Sequence, residues 1–223
     1  MSINYEKIIQ TFDKDFIDTV SEIYYKNTTN SNKFWENPGL YYKNIPDNVN
    51  NHFNNLFLSL NYDVLHIILE NYEYYKDKIF LDNGAGFGLL SIFLDKINIK
   101  CYNYDIFNQI DKERVDTFID EINNKYKSQC FSKFPYIMDT YIPNYNIDTV
   151  ISVGIWLDNK DILNDKNIKT FILDTRHLCE NLYASGNPSI DSEYQHLHSV
   201  YLKELNFCSN LRDFNIYNRF TNN

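Results

Sequence analysis

The chain predicts an α/β fold in which a mostly parallel sheet is flanked by helices. Three observations carry that reading. A short apolar run over residues 78–82 enters a turn with glycine at every second position, Gly84, Gly86 and Gly88, and the turn leads into a helical stripe of Leu89, Leu90, Ile92, Phe93, Leu94 and Ile97. A second strand, residues 99–105, ends in an acid, Asp105, about twenty residues beyond the glycines. Further strand-like runs at 134–138, 147–157 and 170–174 alternate with stretches of helical period. Parallel strands need such crossovers, and the alternation is the mark of this class.

Taken in order, Ile8, Phe12, Phe16, Ile17, Val20, Ile23 and Tyr24 make one apolar stripe, which predicts a helix across residues 5–25. An aromatic cluster follows over residues 34–42, around the Pro38-Gly39 turn. Phe53, Phe57, Leu60, Val64, Leu65, Ile68, Leu69 and Tyr72 predict one long helix over 49–75, or two joined near Asn61. His66, among apolar neighbours, reads as a packed histidine. Val115, Phe118, Ile119 and Ile122 form the inward face of a helix over 111–127. Pro135 places the third strand at a sheet edge or gives its first residue. Residues 159–169 read as a short helix and turn, 183–188 as a loop, 192–205 as a helix, and 207–220 as a closing strand pair broken near Asn210.

Composition sets further bounds. With 223 residues the chain is long enough for one domain with an elaboration. Its 21 Lys and Arg against 30 Asp and Glu give a formal net charge of -9, which disfavours nucleic acid held through its phosphates. Cys101, Cys130, Cys179 and Cys208 are scattered, with no C-x-x-C pair, and read as free thiols of a reducing compartment. His196 and His198 point to different faces of a helix, so no metal site is expected. The opening residues lack the plan of a secretory signal, and no apolar run approaches the ~20 residues that span a bilayer. A cytoplasmic protein without a membrane partner is the expectation.

The turn reads Asp82-Asn83-Gly84-Ala85-Gly86-Phe87-Gly88, or D-x-G-x-G-x-G, where a dinucleotide loop reads G-x-G-x-x-G. This resembles motif I of the Rossmann-like (class I) methyltransferases that use S-adenosyl-L-methionine (SAM). The resemblance implies a seven-stranded, mostly parallel sheet in the order 3-2-1-4-5-7-6. It divides the chain into an N-terminal helical extension, residues 1–75, and a SAM-binding core, residues 76–223. It implies SAM as the cofactor, with the methionine part packed on Asp82, Gly84, Ala85, Gly86 and Gly88. That part carries an ammonium as well as a carboxylate, so an acid at the turn suits it, whereas a pyrophosphate would be repelled. Asp105 then accepts from the ribose hydroxyls through charge-assisted bonds. Ile106 lines the adenine, Asp139 with Thr140 meets its amino group, and Ser152 stands among the small residues beside the methyl donor. The aromatic segment at 34–42 reads either as a lid over the acceptor or as a plug at the end of the sheet.

Strand ends in this architecture face the crevice, so His177, just past the fifth strand, is the best-placed general base; the rival reading is a capping residue. The exit of the fourth strand, Ser152-Val153-Gly154-Ile155, lacks the Asp/Asn-Pro-Pro-aromatic tetrad of amino-methylating DNA enzymes, and no Pro-Cys nucleophile is present. The expected function is therefore methyl transfer from SAM to an N, O or C nucleophile of a small-molecule acceptor. The alternative is a SAM-fold binding or scaffold protein without transfer.

Overall fold

The computed structural model describes residues 5–28, 56–105, 109–126, 136–137, 145–153, 160–174, 205–211 and 214–219. The elements run α1 (Tyr5–Phe12), α2 (Lys14–Thr28), α3 (Leu56–Glu70), α4 (Tyr72–Tyr75), β1 (Phe80–Asn83), α5 (Leu89–Lys96), β2 (Cys101–Tyr104), α6 (Gln109–Lys125), β3 (Tyr136–Ile137), β4 (Thr149–Ser152), α7 (Lys160–Asn164), β5 (Thr170–Asp174), β6 (Leu205–Leu211) and β7 (Phe214–Arg219). The strands lie in the order β3-β2-β1-β4-β5-β7-β6. β1 pairs in parallel with β2 and β4, β2 with β3, and β4 with β5, while β7 runs antiparallel to β5 and to β6. Among the described residues, no helix is long and apolar enough to cross a membrane.

Alternation along the strands divides two cores. Phe80, Cys101, Ile151 and Ile172 face one side, where they join Leu90, Phe93, Phe118, Ile122, Leu65, Phe12 and Val20 from α5, α6, α3, α1 and α2 in a single apolar cluster. Leu81, Tyr102, Val150, Phe171 and Leu173 face the other side and pack with Ile162 and Leu163 of α7. Exposed ion pairs, Lys7–Glu70 at 2.9 Å and Lys26–Glu121 at 2.9 Å, also tie α1 to α3 and α2 to α6. At such exposure ion pairs contribute little, so apolar burial decides the packing.

Two helix expectations need correction. The stripe over 5–25 is not one helix: it breaks at Asp13, whose φ is +66°. An aspartate tolerates that conformation because its short polar side chain bonds locally, and here Asp13 Oδ1 accepts from the Asp15 amide at 3.2 Å. Both halves still bury the stripe, since Ile8, Phe12, Phe16, Ile17 and Val20 are all enclosed. The second correction is at Asn61, which α3 passes through without a break. The chain interrupts at Asn71 instead, whose side-chain amide donates back to the Ile67 carbonyl at 3.0 Å. In the closing pair Asn210 is still paired to Asn215, and Leu211 to Phe214. The segments at 34–42, 183–188 and 192–204 lie outside the described residues.

Candidate functional site

The parallel ladder carries β1 one residue further than its apolar run suggests. Asn83 pairs with Tyr104 on one side and with Ser152 on the other, so it is Asn83, not Asp82, that closes the strand. The polypeptide then bends. The Gly84 and Ala85 amides both donate to the Tyr104 carbonyl, at 2.8 and 3.2 Å, and the Gly88 amide donates to Ala85 at 2.8 Å. Gly84, Gly86 and Gly88 have φ of +79°, +54° and +73°. L residues with a Cβ rarely adopt such angles, so the alternating glycines follow from the path of the turn. Gly88 is the N-cap of α5 and has no side chain with which to cap it, which leaves that end of the helix to other acceptors.

Among the described residues, a Cβ built on Gly86 would meet nothing within 4 Å. Gly86 also meets the acid of the second strand, for its amide donates to Asp105 Oδ2 at 2.7 Å. The structure thus brings Asp105 onto the glycine turn, across the gap between β2 and β1.

Asp82 lies beneath the same turn. It is 3% exposed and faces the α5 side of the sheet, next to its register partner Asn103. Burial first, and the charge of Asp105 second, push its carboxyl up to about 7. Asn103 is fully enclosed and accepts from the Ser91 hydroxyl of α5. Burial also pushes the Cys101 thiol up, so this free cysteine is a small packed group rather than a nucleophile. His66 is likewise packed, at 2% exposure.

On the opposite face, Ser152 is 1% exposed and its hydroxyl accepts from the Asn83 side-chain amide at 3.1 Å. Of the site residues expected from sequence, Asp82, Gly84, Ala85, Gly86, Gly88, Asp105 and Ser152 gather at the carboxyl ends of β1, β2 and β4. Ile106, Asp139, Thr140 and His177 lie outside the described residues. Sequence reasoning missed Asn83. Its signal was a polar residue at the position that alternation from Leu81 reserves for an apolar one. Among the described residues no group of three or more His, Cys, Asp or Glu could hold a metal ion.

No protein-family model matches the chain, and no curated protein matches its sequence. Solved structures do match. A Staphylococcus aureus protein assigned as a caffeoyl-CoA O-methyltransferase superposes with a TM-score of 0.50 at 12% identity, over 70% of this chain and 83% of that one. The fold is that of the Rossmann-like methyltransferases. The magnesium protoporphyrin IX methyltransferase of Synechocystis, solved with bound S-adenosylhomocysteine, matches over 89% of this chain and 97% of its own, at 14% identity and a TM-score of 0.47. The TrmK protein of M. capricolum, solved with the same cofactor product, matches over 69% and 67%, at 19% identity and a TM-score of 0.40. At these identities the likeness to the Rossmann-like methyltransferases is one of fold.

Proposed function

We propose that this chain binds SAM at the glycine turn and transfers its methyl group to a small-molecule acceptor. The observation that carries the reading is the open space at Gly86, bounded by a turn of three positive-φ glycines and by the Asp105 carboxylate. The donor set suits SAM: a carboxylate at the lip for the ribose hydroxyls and a second acid, Asp82, below the turn, whose field favours a cationic ligand over a pyrophosphate.

SAM, when bound, supplies a methyl group already made electrophilic by its positive sulfur. The chain's own work is then to hold and align. The glycine turn packs against the methionine part, Asp105 holds the ribose hydroxyls, Ser152 bounds the far side, and proximity supplies most of the acceleration. A base is needed only where the acceptor must lose a proton, a role we assign to His177. Ile106, Asp139 and Thr140 complete the adenine side of the same reading, with residues 1–75 as an extension on the core of 76–223.

Titration with S-adenosylhomocysteine (SAH), SAM and NADH tests this directly. Adenosyl ligands at 100 times their dissociation constant should raise stability by about 2.7 kcal/mol, and NADH should do nothing. Tighter binding of NADH than of SAH would overturn the proposal. Asp105→Asn separates two roles, because it keeps an oxygen for the Gly86 amide but loses the charge that grips two hydroxyls. Its unliganded stability should stay near the parent's while SAH binding weakens by at least tenfold; equal affinity would remove Asp105 from the ribose.

Gly86→Ala makes a complementary prediction. Among the described residues the methyl meets nothing within 4 Å, so the cost to the fold is backbone strain at φ +54°, about 1–2 kcal/mol in urea denaturation. SAH binding should be abolished, because the methyl enters the space assigned to the ligand. Undiminished binding in calorimetry would move the ligand elsewhere.

A further inference from the structure

The tips of β1 and β4 hold a polar pair on a face that is otherwise apolar. One layer below, the register partners are Leu81 and Val150, both fully buried in the core with α7. At the tip the partners are Asn83 and Ser152, at 3% and 1% exposure, joined by the 3.1 Å bond from the Asn83 amide to the Ser152 hydroxyl oxygen. The backbone ladder sets the register of the two strands; two apolar side chains here would continue the core but would add no directional contact between the tips. A buried hydrogen bond is directional and costly to leave unmade, so it fixes one geometry.

The location gives the bond its meaning. Asn83 is the residue before Gly84, so its backbone starts the glycine turn. That turn is already tied to β2 by the two amides on the Tyr104 carbonyl. The Asn83 side chain ties the same point to β4. The cradle for the methyl donor and the strand end beside the acceptor are thereby held at one spacing. In-line transfer is sensitive to such spacing, and a misplacement of about 1 Å costs on the order of a hundredfold in rate.

We propose that Asn83 is a positioning residue, which holds the Ser152 hydroxyl and so sets the end of β4 against the glycine turn where methyl donor and acceptor meet. The inference rests on the SAM reading above and adds to it a residue that the motif does not name. Its test is a double-mutant cycle of Asn83→Leu and Ser152→Ala on the full chain. Affinity is read by calorimetry with SAH as the probe, well below the unfolding transition, and unliganded stability is read separately by urea. Each single variant should weaken SAH binding about tenfold, and the double variant by less than the sum of the two, because both remove the same bond.

A bond that served only the fold would lower urea stability and leave SAH affinity of the folded chain unchanged. That outcome overturns the proposal, as do single effects on affinity that add in the double variant. Should Asn83→Leu not fold, Ser152→Ala paired with Asn83→Ser supplies the same cycle. Failure of the parent chain to bind SAH would instead overturn the SAM reading, and the role of Asn83 with it. Binding by the parent with no change in either variant overturns the role of Asn83 alone.

Discussion

Phe93→Ala should lower the stability of the folded chain by about 3–5 kcal/mol in urea denaturation. Phe93 is fully buried in the middle of α5. It meets three other rings edge to face: Phe12 of α1 at 5.0 Å, Phe16 of α2 at 5.6 Å and Tyr62 of α3 at 5.5 Å. Edge-to-face pairs add to the area they bury, and a ring removed from among three others leaves a cavity that no one helix can close. Against a total stability of about 5–15 kcal/mol, such a loss is a large fraction. In thermal unfolding it corresponds to a fall of roughly 10 °C or more. Glu22→Ala, at an exposed position of α2, is the control and should change stability by no more than about 0.5 kcal/mol. A loss under 1 kcal/mol for Phe93→Ala would mean that α1 and α2 do not close on α5. The site is part of this prediction, because α5 begins at Gly88 and its packing holds the far end of the glycine turn. The variant should therefore bind SAH more weakly than its residual folded fraction accounts for.

The glycine turn was legible in the sequence because its geometry favours few other residues: positive φ at three alternate positions favours glycine at each. The helix faces at Val115, Phe118, Ile119 and Ile122, all buried, were legible from period alone. Pro135 pointed to an edge, and β3, which follows it directly, lies at the edge next to β2. The break at Asp13 was not legible, since the apolar stripe runs unbroken through it and the cause is one backbone angle. The junction at Asn71 depends on a bond to the Ile67 carbonyl, which no period encodes. The largest gap was the extent of β1. The sequence alone ended the strand at Asp82, whereas the ladder runs on to Asn83. Alternation then puts Asp82 on the α5 face and Asn83 on the Leu81 face, where its side chain bonds to Ser152.

That inward turn of Asp82 has a consequence for pH. A carboxyl pushed up to about 7 by burial and by Asp105 holds its proton in the folded chain where the unfolded chain, with an ordinary value of 3.8, has released it. Below pH 4 both states are protonated and Asp82 has no effect. Between pH 4 and 7 the folded state binds more protons than the unfolded one, so stability falls as pH rises. Above pH 7 both states are ionised, and the whole cost of the buried charge is present. Asp82→Asn removes this titration. Its stability relative to the parent, by urea denaturation across pH 4 to 8, should therefore rise by on the order of 4 kcal/mol in favour of the variant. Other titrating groups are common to both chains and cancel in the difference, apart from Asp105, whose neighbouring charge is itself changed. A constant difference between the two chains would show that Asp82 titrates as an ordinary carboxyl. On the proposed function, a cationic ligand in the turn above would stabilise the ionised carboxylate and so match part of the charge that the fold alone leaves unsolvated. SAM carries one positive charge more than SAH at its sulfur. Raising the pH through 7 should then strengthen SAM binding relative to SAH in the parent chain, and Asp82→Asn should lose that pH dependence, a result available from paired calorimetric titrations at pH 6 and pH 8.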